Sequence, residues 1–343
     1  MTQPDRKIDI KDLLKEKLAE GFAPLGAERF RATQVLDWVY RRCADDFSGM
    51  NNLPAGLRRT LDEKFYISDL EVVRKLESKD GVKKFLFQLE DGEKIESVFI
   101  PSKSTSTVCL SSQVGCKFAC KFCASGKTGF VRNLRPAEII NQALFFRKNK
   151  YHVTNIVLMG MGEPLDNYDN VLKAVRILNA PYGLGVGQRK ITISTCGLIP
   201  GIKKLAKEKL QIELSVSIHS PNDKTRSILM GVNNKYPLKD LMEACRGYAK
   251  QTNRQITFEY VLIKGLNDSK KDAQDLAGLV KGMLAKVNLI AFNPVDGLDY
   301  VPPGLDCTRM FKSALDRKGI VSTMRNPRGA DIEAACGQLR LRH

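Results

Sequence analysis

Three cysteines carry the densest chemical signal in this 343-residue chain: Cys116-Lys-Phe-Ala-Cys120-Lys-Phe-Cys123, a C-x3-C-x2-C run. Thiolates at this spacing can hold three irons of a 4Fe–4S cluster. The fourth iron is then open to a chelating small molecule. A zinc knuckle is the competing reading. Structural zinc prefers four ligands, usually paired short-spaced cysteines, and His152 supplies no obvious fourth. Two further cysteines stand apart. Cys109 precedes the cluster run, and Cys336 sits in Ala-Ala-Cys-Gly-Gln near the C-terminus. A lone free cysteine is most often a small buried hydrophobe. Cys336 departs from that pattern because its segment is polar and contains glycine. The chain has nine cysteines, an odd number, which argues for reduced thiols rather than a disulfide framework. Cys43, Cys196, Cys245 and Cys307 are expected to be structural.

Other residues suit ligand contact. Gly160-Met-Gly162-Glu163-Pro combines glycines, which let backbone approach a ligand, with a carboxylate that can accept from an ammonium. Such a turn alone is usually only a turn. His219 in Ser-Ile-His-Ser-Pro could be a satisfied structural histidine, but its place at a strand end favours a site. Glu96, in Lys-Ile-Glu-Ser-Val-Phe-Ile-Pro, reads equally as a solvated strand carboxylate or a working one.

These residues need a scaffold, and the periodicity supplies one. Residues 1–75 read as a small helical domain, with amphipathic stretches in DIKDLLKEKLAEGF, RATQVLDWVYRR and LPAGLRRTLDEKF. Residues 76–101 read as a linker and a β-hairpin turning at Asp91-Gly92 and lying against the main domain. From 102 to 325, strands alternate with helices. The expected strands are 106–111, 154–159, 190–195, 212–218, 256–263 and 287–292, followed by a short one at 320–325. Alternation of this kind implies parallel βαβ units. Six units are too few for a closed eight-unit barrel, so the fold class is α/β with a partial (β/α)6 barrel. Residues 326–343 form a tail that carries Cys336. In parallel α/β folds ligands collect at the carboxyl ends of the strands, where these motifs fall.

Lys and Arg outnumber Asp and Glu by 55 to 38, a formal charge of +17. That surplus favours a polyanionic partner such as nucleic acid. The N-terminus has no apolar h-region, so a cytoplasmic location is expected. No run of about 18 apolar residues exists to span a membrane.

The cluster run resembles the signature of the radical S-adenosylmethionine superfamily. Six motifs narrow the likeness. CLSSQVGC (109–116), GFVRNL (129–134), MGMGEPL (159–165), STCGLIPGI (194–202), SVSIHSPND (215–223) and DIEAACGQL (331–339) resemble, in order, those of the RlmN/Cfr family of RNA adenine methyltransferases. The resemblance implies a 4Fe–4S cluster on Cys116, Cys120 and Cys123. It implies S-adenosylmethionine contacts at Gly162, Glu163, Ser194, Ser217, Ile218, His219 and Asn293, with two such molecules used per turnover. It further implies methylation of Cys336 by one S-adenosylmethionine, hydrogen abstraction from that S-methyl group by a 5′-deoxyadenosyl radical from the second, and addition of the carbon radical to adenine. Cys109 would then release the product by forming a transient disulfide with Cys336. Glu96 is the implied proton acceptor, with Cys109 a competitor. The implied substrates are 23S rRNA and tRNA next to the anticodon, methylated at adenosine carbon 2, with an external flavodoxin-type electron donor and a monomeric enzyme. Methylation at carbon 8, as in the Cfr branch, stays open, as does a radical enzyme with a non-RNA substrate. So does an RNA-binding protein with a structural metal.

Overall fold

The computed structural model describes residues 7–22 and 27–339. Residues 1–6 and 23–26 of the expected helical segment, and 340–343 of the expected tail, lie outside that set.

The N-terminal segment comprises β1 (Ile8–Asp9), α1 (Lys15–Phe22), α2 (Arg31–Tyr40), α3 (Ala55–Lys64) and β2 (Phe65–Tyr66). β1 and β2 pair in parallel and tie its ends together. The helices bury the apolar faces anticipated from their spacing, including Leu18, Phe22, Val35, Leu36 and Leu61. These side chains join one continuous core with the main sheet.

An antiparallel meander follows: β3 (Glu71–Glu77), β4 (Lys83–Gln88) and β5 (Lys94–Pro101). Gly92, at φ 87°, makes the β4–β5 turn at the expected Asp-Gly position. The expected hairpin is thus a three-stranded ribbon, and it extends the main sheet rather than lying on it. β5 pairs antiparallel with β6 (Ser106–Cys109). β3 occupies the edge and is exposed along nearly its whole length. Phe85 and Phe87 pack edge-on against Phe145, and Phe99 stacks on Phe146, fastening the ribbon to the first core helix.

The remaining core elements are β7 (Gln113–Gly115), β8 (Phe130–Asn133), α4 (Pro136–Lys148), β9 (Asn155–Leu158), α5 (Tyr168–Asn179), β10 (Ile191–Thr195), α6 (Ile199–Leu205), β11 (Glu213–Ser217), α7 (Asp223–Leu229), α8 (Leu238–Thr252), β12 (Ile256–Leu262), α9 (Lys270–Val280), β13 (Ala285–Ala291), α10 (Leu305–Asp316) and β14 (Ser322–Arg325). One ten-stranded sheet runs β14-β13-β12-β11-β10-β9-β6-β5-β4-β3. From β6 to β14 every neighbouring pair is parallel. Parallel neighbours require crossover helices, which is why the sequence alternates as it does. All six expected core strands are present, with β14 as a seventh, and the sheet stays open with β3 and β14 at its edges. β7 and β8 form a separate two-stranded ribbon flanking the cluster loop, an element the periodicity does not announce.

After β14 the tail runs to the meander and then to the cluster loop. Arg328 donates to Asp80 and to the Pro101 carbonyl. Ala124 N donates to the Gly337 carbonyl at 2.7 Å, and Ser125 Oγ donates to the Leu339 carbonyl at 2.7 Å. The tail thereby joins the meander to the cluster loop.

Candidate active site

The loop after β7 turns at Ala119, a non-glycine residue at φ 45°. Gly126 closes on it: a Cβ there would sit 2.9 Å from the Ala119 Cα. This tight loop brings Cys116, Cys120 and Cys123 onto the wall of one cavity, at the carboxyl ends of the parallel strands. Burial pushes the Cys116 thiol up to about 12, and the neighbouring Cys123 adds to the shift. Burial raises Cys120 and Cys123 too, and the loop cysteines oppose ionisation of Cys120. A cation that drew off those protons would relieve both penalties, which is what an iron–sulfur core supplies to its thiolates. Among the described residues no three His, Cys, Asp or Glu side chains gather round a single ion. Three half-buried thiols on one cavity wall, with Cys116 and Cys123 raising the cost of ionising their neighbours, suit a cluster that binds them as thiolates. The residues therefore fit a 4Fe–4S cluster.

The same cavity is lined by Gly162, Glu163, Ser194, Ser217, His219 and Cys336. Gly162 has φ 96°, and a Cβ there would fall 2.5 Å from the Gln113 side chain, so only glycine fits. Gln113 holds the turn: its Oε1 accepts from Glu163 N at 2.8 Å, and its Nε2 donates to Asn133 and Asp166. The Glu163 carboxylate accepts from Cys196 N at 2.7 Å and from Leu165 N at 3.0 Å. Burial raises its pKa, and these donors oppose the rise. A fixed carboxylate with spare lone pairs in a dry wall is suited to an ammonium.

His219 has φ 53°. Its Nδ1 accepts from Val261 N at 3.0 Å, and burial pushes its pKa down to about 3, with Arg226 adding to the fall. The ring is therefore neutral, with Nε2–H as its donor. Phe122 meets it edge-on at 4.6 Å between centroids. Ile218, between Ser217 and His219 in sequence, is fully buried and does not line the cavity. Its carbonyl accepts from Arg226, as do the carbonyls of Ser217 and Cys196. Arg226 is itself fully buried and pins the ends of β10 and β11. Neither Arg226 nor Gln113 stands out in the sequence. Arg226 reaches the Cys196 carbonyl 30 residues away and Gln113 reaches Glu163 N 50 residues away, and no local pattern marks either contact.

Of the two lone cysteines, one is on the tail and the other lies beneath it. Cys336 is exposed and lines the cavity. Asn293 does not line it; its Nδ2 donates to the Cys336 carbonyl at 3.1 Å. Cys109 is buried in a small apolar cluster with Val82, Val98, Met161, Ala334 and Leu339, so the tail covers it. Both thiols are free. Burial pushes the Cys109 thiol up to about 12, with Cys336 adding to the rise and Arg325 opposing it. Glu96 is buried and stands outside the cofactor cavity. It lies in a separate polar pocket with Arg74, Lys84 and Glu333, and pairs with Lys84 at 3.2 Å. Glu96 and Val98 share a face of β5, and Val98 opposes Cys109 on β6.

Comparison with known proteins agrees with this architecture. Residues 110–277 match the radical SAM superfamily, and residues 8–67 match a ribosomal RNA large subunit methyltransferase N-terminal domain. The chain is 49% identical over 337 residues to a probable dual-specificity RNA methyltransferase RlmN of Pelotomaculum thermopropionicum, covering 97% of this chain and 92% of that one. It is 46% identical to the protein of the same name from Caldanaerobacter subterraneus subsp. tengcongensis, covering 98% of each. The crystal structure of a radical SAM methyltransferase from Sphaerobacter thermophilus superposes with a TM-score of 0.92 at 43% identity, covering 97% of this chain and 99% of that one. The chain therefore belongs to the RlmN family of radical S-adenosylmethionine methyltransferases.

Proposed function

We propose that this protein methylates carbon 2 of adenosine in 23S rRNA and in tRNA next to the anticodon, through an S-methylcysteine at Cys336. The observation that carries the reading is that Cys336 lines the same cavity as the three cluster cysteines, with Cys109 buried beneath the tail that presents it. Carbon 2 of adenine lies between two ring nitrogens and is too electron-poor to act as a nucleophile, so polar methyl transfer fails and a carbon radical is the way round.

The 4Fe–4S cluster and S-adenosylmethionine, when bound, supply the electron and the radical that removes a hydrogen atom from an S-methyl group. Cys116, Cys120 and Cys123 hold the cluster. Glu163 receives the ammonium of S-adenosylmethionine, and Gly162, Ser194, Ser217 and His219 shape the cavity around it. Two molecules are used per turnover, one of them to methylate the Cys336 thiolate. Asn293 fixes the backbone of Cys336. Cys109 displaces product by attacking the Cys336 sulfur, leaving a disulfide that an external dithiol reduces. Glu96, on the strand beside Cys109, accepts the ring proton.

The formal charge of +17 and the N-terminal helices support RNA as partner. In this reading residues 1–75 engage RNA, 76–101 bridge, 102–325 form the radical core and 326–343 carry the reacting thiol. The enzyme works as a cytoplasmic monomer with a flavodoxin-type donor. Among the described residues no helix is long and apolar enough to cross a membrane.

The test is anaerobic reconstitution with iron and sulfide, reaction with 23S rRNA fragments and tRNA, and nucleoside analysis by mass spectrometry. 2-Methyladenosine is expected from both RNAs. 8-Methyladenosine would assign carbon 8 instead, and no methylated nucleoside from either RNA would overturn the reading.

A further inference from the structure

Arg325 ends β14, opposite Ile290 of β13. It lines the cofactor cavity with Cys336 and Glu259, and a second, polar cavity toward the amino ends of the strands with Met159, Glu259 and Asn288. Among the described residues its guanidinium has no hydrogen-bond or ion-pair partner, although it is half-buried. A cation in that position is normally committed to an anion. Met159, which lines both cavities with Arg325, packs against the cluster of side chains that holds Cys109, the last residue of β6. The groups that Arg325 feels most are Cys336, Glu259 and Cys109.

We propose that Arg325 is a positioning residue that holds negative charge on the Cys109 sulfur, so that a buried thiol can serve as the nucleophile that frees Cys336. This rests on the release step proposed above. In that step the Cys109 thiolate attacks the Cys336 sulfur and an S–S bond forms. The bond from that sulfur to the product's methylene carbon breaks, and its electron pair leaves with the carbon, which takes a proton to become the methyl group. Two cysteine sulfurs are oxidised by two electrons, and the carbon is reduced by two.

The nucleophile must be a thiolate, and burial opposes that form at Cys109. The charged groups on the surrounding elements are Arg325 on β14, Glu259 on β12, and the Lys84–Glu96 pair on β4 and β5; the Cys336 thiol is the other titrating neighbour. Lys84 is already paired with Glu96 at 3.2 Å and donates to the Glu333 carbonyl at 3.0 Å. Glu259 accepts from Asn288 at 2.9 Å. Arg325 is the cation of the set held by no hydrogen bond among the described residues, and it faces the Glu259 carboxylate as well as the two thiols. When bound RNA excludes water from the cavity, its attraction for a thiolate strengthens.

The experiment is peptide-resolved alkylation of Cys109 by iodoacetamide across pH, on the intact iron-loaded protein, for wild type, R325Q and R325K. In R325Q the pH midpoint of Cys109 alkylation should rise by about one unit, and the rate at neutral pH should fall about tenfold. R325K should restore most of both. Iron content and the thermal midpoint should be unchanged in all three, which separates charge from fold. An unchanged midpoint in R325Q overturns the proposal. So does weakened S-adenosylmethionine binding with an unchanged midpoint, which would assign the guanidinium to the cofactor's carboxylate. This readout needs no turnover. A Cys109→Ala enzyme that turns over normally would sink the release step while leaving the alkylation result intact.

Discussion

Asn293 donates through Nδ2 to the carbonyl oxygen of Cys336 at 3.1 Å, so the loop after β13 fixes the backbone of the tail residue that faces the cavity. Gln338 adds a second tie, donating to the Pro294 carbonyl at 2.8 Å. Removing the first bond costs about 1 kcal/mol of local order. Asn293→Ala should therefore slow methyl loading of Cys336 several-fold while leaving iron content at the wild-type level. Peptide mass spectrometry over a time course after adding S-adenosylmethionine checks this. Loading at the wild-type rate would show that the tail holds itself in place.

The cluster thiols should be separable from the fold. Cys116→Ala, Cys120→Ala and Cys123→Ala should each lose iron and all RNA methylation. Circular dichroism should stay close to wild type, because the strands beneath the loop carry the core. Full iron retention in all three variants would remove these residues as ligands.

Glu163 should set the acid limit of cofactor binding. Its pKa is raised by burial, and only the ionised form pairs with an ammonium. S-Adenosylmethionine affinity should therefore fall as pH drops through a value above the ordinary carboxylate range, and hold above it. Glu163→Gln should weaken binding about tenfold or more at neutral pH and flatten that acid limb. Calorimetric titration across pH measures both. An acid limb that persists in the Gln variant would point to another group.

How far the sequence reveals this arrangement depends on the kind of signal. The parallel strands are legible because buried apolar runs such as Ile256–Leu262 alternate with helices, and the helices carry turn and cap signals, such as Pro136 at the head of α4. The cysteine loop and the glycine turn at 160–163 are legible because their residues are local and chemically unusual. β3 escapes because an edge strand with both faces exposed has no hydrophobic period, so Glu71–Glu77 reads as a polar continuation of the helical segment. Arg226 and Gln113 escape for a different reason: what they hold lies across the fold, at strand ends that no window brings together. Glu96 stands out in its strand, but its pocket and its pairing with Lys84 are consequences of β4–β5 register.

RNA binding should follow charge in the N-terminal helices. Arg59 and Lys64 on α3 and Arg29 in the turn before α2 are exposed. The triple Gln variant should bind RNA more weakly, and the slope of log affinity against log salt should shrink by about one for each phosphate left without its cation. S-Adenosylmethionine affinity should not change. Filter binding across a salt series tests this, and an unchanged slope would move the RNA footprint elsewhere.

The central claim is that Cys336 carries the methyl group and Cys109 releases it. Mass spectrometry of Cys109→Ala after reaction with S-adenosylmethionine, reductant and RNA tests it most directly. The account predicts a protein–RNA adduct that survives denaturation and maps to the Cys336 peptide, because no thiolate remains to displace the bridging sulfur. Free methylated RNA at the wild-type rate, with no adduct, would contradict it.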